Sequence, residues 1–316
     1  MEVLHGLDAV RDGHRGAVLT IGNFDGVHVG HQKIVRAVME EARRLQGAPT
    51  MAITFEPHPV RVLAPERGLK LLTTAEDKAR LLGHYGIGHV LFIDFSREFS
   101  KLLPDDFIRD VLVQNLRART VIVGHGYAFG KGKSGTTGLL RRRGRKYGFG
   151  VKVVRNVTRY GKVVSSSRIR IVLTNGNVKK AAELLGRPYA IEGTVVPGAG
   201  RGARLLGTPT ANLATQSELI PRDGVYAVRA AVGGRPYDGV ANIGTNPTFD
   251  QEALSLEVHL FGYRGGGLRG RRVRVGFIER IREERRFGSA EELKEEIQKD
   301  VERARDILSR TKTALL

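Results

Sequence analysis

The chain has 316 residues, no cysteine, and 52 Lys+Arg against 33 Asp+Glu, a formal net charge of +19. Such a length suits two domains that bury their own cores, while the missing cysteines exclude disulfides and thiolate metal sites. No apolar run reaches the roughly 18 residues of a membrane-spanning helix, residues 1–15 lack the apolar centre of a secretion signal, and a cytoplasmic protein is expected. The charge calls for polyanions, with nucleic acid and ATP as rival meanings.

From residue 17 to about 186, short apolar strands alternate with helical stretches. The pattern predicts strands at 17–21, 50–55, 89–93, 120–123 and 151–154, and helices near 30–46, 74–85, 105–116 and 177–185. This alternation predicts a parallel sheet wrapped by helices, in which ligands sit beyond the carboxyl ends of the strands. The turn between the first strand and the first helix reads Gly22-Asn23-Phe24-Asp25-Gly26-Val27-His28-Val29-Gly30-His31. A helix N-terminus attracts anions through its unpaired N–H groups and its dipole. Two imidazoles added there, with glycines that admit close approach, suit a polyphosphate under attack at phosphorus. The pattern His-x-Gly-His therefore points to nucleotidyl transfer without naming the acceptor, and its plainer reading is a helix cap or a surface histidine.

Further along, Arg141-Arg142-Arg143-Gly144-Arg145-Lys146 is the densest basic run; it reads first as the solvated face of a helix and second as a site for phosphates or nucleic acid. Lys131-Gly132-Lys133-Ser134 resembles the end of a phosphate-binding loop, but Tyr127 breaks the spacing. After Tyr189 the texture changes to closely spaced β-branched runs at 191–196, 225–232, 239–243, 255–261 and 272–277, which predict a small antiparallel barrel. Gly265, Gly267 and Gly270 form a literal dinucleotide pattern without the strand-to-helix setting that would give it meaning. One helix follows, opened by a capping box of Ser289 and Glu292, with a packing stripe of Leu293, Ile297, Val301, Ala304 and Leu308.

Two motif sets in order give the chain a resemblance to the prokaryotic bifunctional riboflavin kinases/FMN adenylyltransferases, also called FAD synthetases, over residues 16–310. The first set is Thr20 to His31, Thr54-Phe55-Glu56-Pro57-His58-Pro59 and Ser165-Ser166-Ser167-Arg168-Ile169-Arg170. The second is Gly207-Thr208-Pro209-Thr210-Ala211-Asn212-Leu213, Gly224-Val225-Tyr226, Gly239 to Gly244 with Pro247-Thr248-Phe249, and Leu256-Glu257-Val258-His259. The resemblance implies an α/β Rossmann-like nucleotidyltransferase domain over 1–186 and a β-barrel kinase domain with a C-terminal helix over 187–316.

It implies two activities, phosphorylation of riboflavin to FMN and adenylylation of FMN to FAD, with ATP as co-substrate and Mg2+. In the first domain, His28 and His31 hold the ATP phosphates as the catalytic pair, helped by Gly22, Phe24 and Asp25. Ser166, Ser167 and Arg168 grip the departing pyrophosphate. Asn23, His58 and His125 are assigned to the FMN side. In the second, Gly198, Gly200, Arg201 and Gly202 form a loop for ATP, Thr210 and Asn212 supply oxygens to ATP and Mg2+, and Glu257 is the general base for the riboflavin 5′-hydroxyl. The implied partners are these small molecules, with no membrane and only non-specific nucleic acid, and the oligomeric state stays open. Two positions depart from the pattern: Gly126 stands where an Asn or Asp is usual, and Ala199 where an acid is common. A sound kinase with an impaired adenylyltransferase, and a basic nucleic-acid-binding protein on this scaffold, stay open as alternatives.

Overall fold

The structure, a computed structural model, describes residues 1–197, 210–248, 251–265, 267–285 and 287–311, of which 245–248 and 251–254 by their backbone alone. The chain divides into two compact units, Met1–Ser165 and Ser166–Leu316.

The first unit carries, in order, β1 (Glu2–His5), β2 (Val18–Ile21), α1 (Val29–Arg44), β3 (Thr50–Glu56), α2 (Pro59–Leu63), α3 (Ala75–His84), β4 (His89–Asp94) and α4 (Pro104–Asp106). The last of these runs on as π-type turns over Phe107–Asn115. Then come β5 (Thr120–Gly124), a ribbon of β6 (Ala128–Phe129) and β7 (Gly135–Thr136), α5 (Thr137–Tyr147), β8 (Gly150–Val154), and a hairpin of β9 (Thr158–Arg159) and β10 (Lys162–Val163). Six strands form a sheet in the order β1-β4-β3-β2-β5-β8, with every pair parallel.

Alternation along β2 sorts its side chains into two layers. Leu19 and Ile21 join Ile108, Val111 and Leu112 on one face, and Val18 joins Val35, Val38, Leu81 and Leu82 on the other. Both faces are thus covered by helices, which is why β2 is buried throughout. The edge strand β1 was not expected, because it is four residues long and only Leu4 is buried. It pairs Glu2 with His89, and there the Glu2 Oε2, His14 Nε2 and His89 Nδ1 atoms gather. The Arg11 N–H donates to His14 Nδ1 at 2.9 Å, so Nε2 of the neutral ring holds the proton and donates to Glu2 at 3.0 Å. That arrangement is a hydrogen-bonded cluster. Elsewhere on the unit the buried Glu41 carboxylate is paired with Arg44 and Lys152, whose hydrogen bonds pull its pKa down to about 2.

The second unit opens with α6 (Ser166–Thr174) and α7 (Val178–Leu185) and continues through β11 (Tyr189–Val196), β12 (Thr210–Thr215), β13 (Gly224–Val232), β14 (Arg235–Thr248), β15 (Gln251–Leu260) and β16 (Arg272–Arg282) to α8 (Ala290–Arg310). The six strands close into a barrel in the order β11-β12-β15-β14-β13-β16. Register aligns Ala211, Val258, Ala241 and Tyr226 as one buried rung. The neighbouring rung, Asn212, Glu257, Asn242 and Val225, faces the opposite way because strand side chains alternate.

On that outer face Val225, Ala227, Val240 and Ile278 pack under Ala304 and Leu308 of α8. The Ser289 hydroxyl accepts from the Glu292 N–H at 3.1 Å, the first half of the predicted capping box, while the Glu292 carboxylate accepts from the Gly288 N–H at 2.9 Å, one residue before the N-cap. Nearer its start α8 buries Glu296 and Asp300, and the Arg282 guanidinium is bonded to Asp300 at 2.8 Å. A buried acid needs such a partner, so the contact face of α8 is half ionic where the sequence suggested an apolar stripe. The change of texture at Tyr189 and the unit boundary after Ser165 differ by α6 and α7, because α7 packs on β11 and β16.

Candidate active sites

In the first unit the predicted motif becomes a tight loop at the carboxyl end of β2. Phe24 and Val27 sit in the left-handed region, at φ 48° and 38°. His28 caps α1: its Nδ1 accepts the His31 N–H at 3.4 Å. With Nδ1 accepting, the neutral ring carries its proton on Nε2, a donor suited to a phosphate oxygen. The two imidazoles stack at 3.7 Å between centroids with 14° between planes, and Phe24 meets His31 edge-on at 5.2 Å. Gly30 leaves room for this stack, since a Cβ there would lie 3.0 Å from His28 Cε1 and crowd the ring.

Asp25 and Phe24, expected at the nucleotide, are both 1% exposed. Asp25 Oδ1 accepts from the Leu72 and Thr73 N–H groups at 2.9 and 3.2 Å. A carboxylate sealed from water must find donors, so Asp25 braces the loop from within and Phe24 fills the layer beneath it. Gly22 is half-buried against Phe24, and Asn23 is exposed. His58 is buried and caps α2, its Nδ1 accepting the Val60 N–H at 3.2 Å. His125 and Gly126 lie exposed in the turn after β5, where a Cβ on Gly126 would meet nothing within 4 Å. Ser166, Ser167 and Arg168 open α6, at the start of the second unit.

Sequence reasoning missed Lys78. It is fully buried on α3, its Nζ donating to Thr54 Oγ1 at 3.4 Å and lying 5.6 Å from the Phe92 ring centre. Its spacing from Ala75, Leu81 and Leu82 was the available signal, since three- and four-residue steps share a helix face.

In the barrel, Thr210 and Asn212 on β12 share one half-buried face with Glu257 and His259 on β15. Asn212 and Asn242 flank Glu257 on either side in register, and the Ser255 hydroxyl lies 3.5 Å from Glu257 Oε1. Asn242 carried no role in the sequence reading because alternation within one strand does not reveal its lateral neighbours. Gly198, Gly200, Arg201 and Gly202 lie outside the described residues. The basic run falls on α5, where Arg143 is paired with Asp105 at 2.6 Å while Arg141, Arg142, Arg145 and Lys146 face solvent.

The sheet with its histidine loop and the closed barrel with its polar rung define a nucleotidyltransferase-type unit joined to a flavokinase-type barrel. A family model described as FAD synthetase matches residues 10–168, and one described as riboflavin kinase matches 185–308. The chain belongs to the family of bifunctional riboflavin kinases/FMN adenylyltransferases. The protein of that description from Escherichia coli (strain K12) is 40% identical over 300 residues, 95% of each chain. Its Pseudomonas fluorescens counterpart is 39% identical over 306 residues, 96% of this chain and 97% of that one. A solved chain from Streptococcus pneumoniae, described as a macrolide-efflux protein, matches with a TM-score of 0.87 at 30% identity, over 96% of this chain and 99% of that one. Among the described residues here no helix is long and apolar enough to cross a membrane.

Proposed function

We propose that the barrel phosphorylates riboflavin to FMN and that the histidine loop serves the adenylylation of FMN to FAD, with ATP used in both reactions. The observation that carries the reading is the pair of chemically distinct constellations: stacked imidazoles at a helix start, and a carboxylate between two amides on a strand face.

Adenylyl transfer needs no protein nucleophile, because an FMN phosphate oxygen attacks the α-phosphorus as pyrophosphate leaves; positioning and charge stabilisation are the protein's share. His28, capped through Nδ1, offers its Nε2–H to the phosphates, and Gly30 lets them approach the first turn of α1. Asn23 and His125, both exposed, and His58 are assigned to the flavin side, and Ser166, Ser167 and Arg168 to the pyrophosphate.

In the kinase reaction Glu257 takes the proton of the ribityl 5′-hydroxyl as its oxygen attacks the γ-phosphorus, and ADP departs. Asn212 and Asn242 hold the substrate and carboxylate in line. Thr210 and Asn212 offer a hydroxyl and an amide oxygen on the same face, a donor set that fits the oxygen preference of Mg2+. When bound there, Mg2+ would neutralise charge on the ATP phosphates. A second reading, a sound kinase beside a weak adenylyltransferase, is favoured by Gly126 alone, where no side chain is available to bond a phosphate.

Flavin chromatography of the purified protein with ATP and Mg2+ tests both, one tube starting from riboflavin and one from FMN. Both FMN and FAD should appear from riboflavin, and FAD from FMN. Glu257→Gln should slow FMN formation by roughly two orders of magnitude and spare adenylylation, and His31→Ala should do the reverse. FMN as the sole product would leave the second reading standing, and no turnover in either tube would sink both.

A further inference from the structure

Lys78 has no part in either reaction as drawn, yet it is 1% exposed. A buried ammonium is destabilising unless it is bonded and faced by opposite charge. Here its Nζ donates to Thr54 Oγ1, which in turn donates to the Asn23 carbonyl at 3.2 Å, so a two-bond relay runs from α3 to the backbone of the histidine loop. Asp25 and Glu56 supply the facing charge, while burial pushes the lysine pKa down.

Asp25 belongs to the same loop and binds the backbone at 72–73, and the Thr73 hydroxyl accepts the Gly26 N–H at 3.1 Å. Phe24 lies between these ties and Val27 directly after them, both at positive φ. A β-branched residue at φ 38° persists only where its surroundings over-determine it. The loop ends at His28, whose ring must meet both the His31 N–H and the His31 ring.

We propose that Lys78 is a positioning residue for adenylyl transfer: its ammonium, facing Asp25 and Glu56 and bonded to Thr54, locks the strained loop Asn23–Val27 and thereby sets the imidazole pair. The proposal rests on the adenylyltransferase reading of that loop. It differs from a packing role in what it predicts for the folded enzyme.

The test uses the full chain with Lys78→Met, Lys78→Arg, Asp25→Asn and the double variant Lys78→Met/Asp25→Asn. In Lys78→Met the kcat for FMN to FAD should fall on the order of 10²-fold, as a displacement near 1 Å can cause, with the KM for FMN held within about threefold. FMN formation from riboflavin should stay at the wild-type rate, and Lys78→Arg should recover part of the lost kcat. The double variant should be no slower than the worse single one, because both act through one network.

Amide hydrogen exchange should quicken at Gly26, Leu72 and Thr73 and not at Ile53 or Leu91. If Lys78→Met does not fold, Lys78→Gln takes its place, since its amide still reaches for Thr54 without the charge. A folded Lys78→Met enzyme with wild-type adenylylation, or a loss that adds fully to that of Asp25→Asn, overturns the proposal. A wild-type protein that makes no FAD removes the adenylyltransferase reading instead; the exchange rates then decide alone whether Lys78 holds the loop.

Discussion

Gly30→Ala separates stability from activity at the histidine loop. Gly30 is the second residue of α1, and alanine in a helix is favoured over glycine by about 0.5–1 kcal/mol, so on propensity alone the variant should be as stable as the parent or slightly more so. The added methyl would sit 3.0 Å from His28 Cε1 and 3.1 Å from Nδ1, against an optimum of about 3.5–4.0 Å for carbon atoms. The imidazole must therefore retreat by a few tenths of an ångström. It has nowhere cheap to go: His31 is stacked 3.7 Å away and is itself met edge-on by the buried Phe24. The ring should tilt and weaken the 3.4 Å bond it accepts from the His31 N–H.

If a displacement of about 1 Å lowers a rate about 10²-fold, about a third of that distance gives roughly fivefold. Initial rates of FAD formation from FMN, beside FMN formation from riboflavin and a thermal melt, read all three quantities. Adenylylation should drop roughly fivefold while the kinase rate and the melting temperature hold. Full adenylylation in a folded Gly30→Ala protein would falsify the stacking argument, and an equal loss of both activities would mean that the damage is not local.

Two other outcomes follow from the geometry. Gly126 has ordinary φ and open space around a Cβ, so Gly126→Asn should fold normally and raise kcat/KM for FAD formation; an unchanged value in that assay would show that His125 or another group already serves there. Glu41 has its pKa lowered from 4.5 to about 2, first by the Arg44 hydrogen bond and then by Lys152. A depressed carboxylate stabilises the fold fully above its unfolded pKa and loses that contribution as pH falls through the folded value. The gap in unfolding free energy between wild type and Glu41→Gln should therefore be constant above about pH 5 and shrink toward pH 2; a gap independent of pH in denaturant titrations would show that the ion pair adds nothing.

The five predicted strands of the first unit coincide with β2, β3, β4, β5 and β8 within a residue or so at either end. The inner strands β2 to β5 are largely buried and so carry apolar runs, while the edge strand β8, with no buried residue, was marked by its valines at 151, 153 and 154. The strand β1 carries no such mark, as three of its four residues are exposed and its pairing with β4 spans nearly ninety residues. In the barrel, β12 reads poorly as a strand because Asn212 and Thr210 interrupt its hydrophobicity, and their polarity is what the candidate site uses. His28, His31, Glu257 and Thr210 were legible because short motifs bring them together in sequence. Asn242 reaches its neighbours only through lateral register, which one chain's periodicity does not encode, whereas the spacing of Lys78 marks it for the buried face of α3 without naming Thr54 as its partner. Asp25 sat within the motif, and nothing in its spacing distinguishes a ligand-facing carboxylate from one turned inward to the amides at 72–73.

The closure of the barrel bears on how the chain is made. The sheet has its last strand once Val154 has been synthesised. The barrel needs β16 to join β11 to β13, and that strand begins at Arg272, about 120 residues later. At ribosomal speeds of roughly 5–20 residues per second, that separation is on the order of ten seconds. Within that interval β11, complete at Val196, and β13, complete at Val232, present open edges to the nascent chain's surroundings until β16 is made, the form of exposure that invites mispairing. Slowing translation over 197–271 would lengthen the vulnerable period for the kinase half and leave the adenylyltransferase half untouched, so the two activities of one polypeptide would part company in yield according to codon choice in a region that encodes neither of the paired histidines.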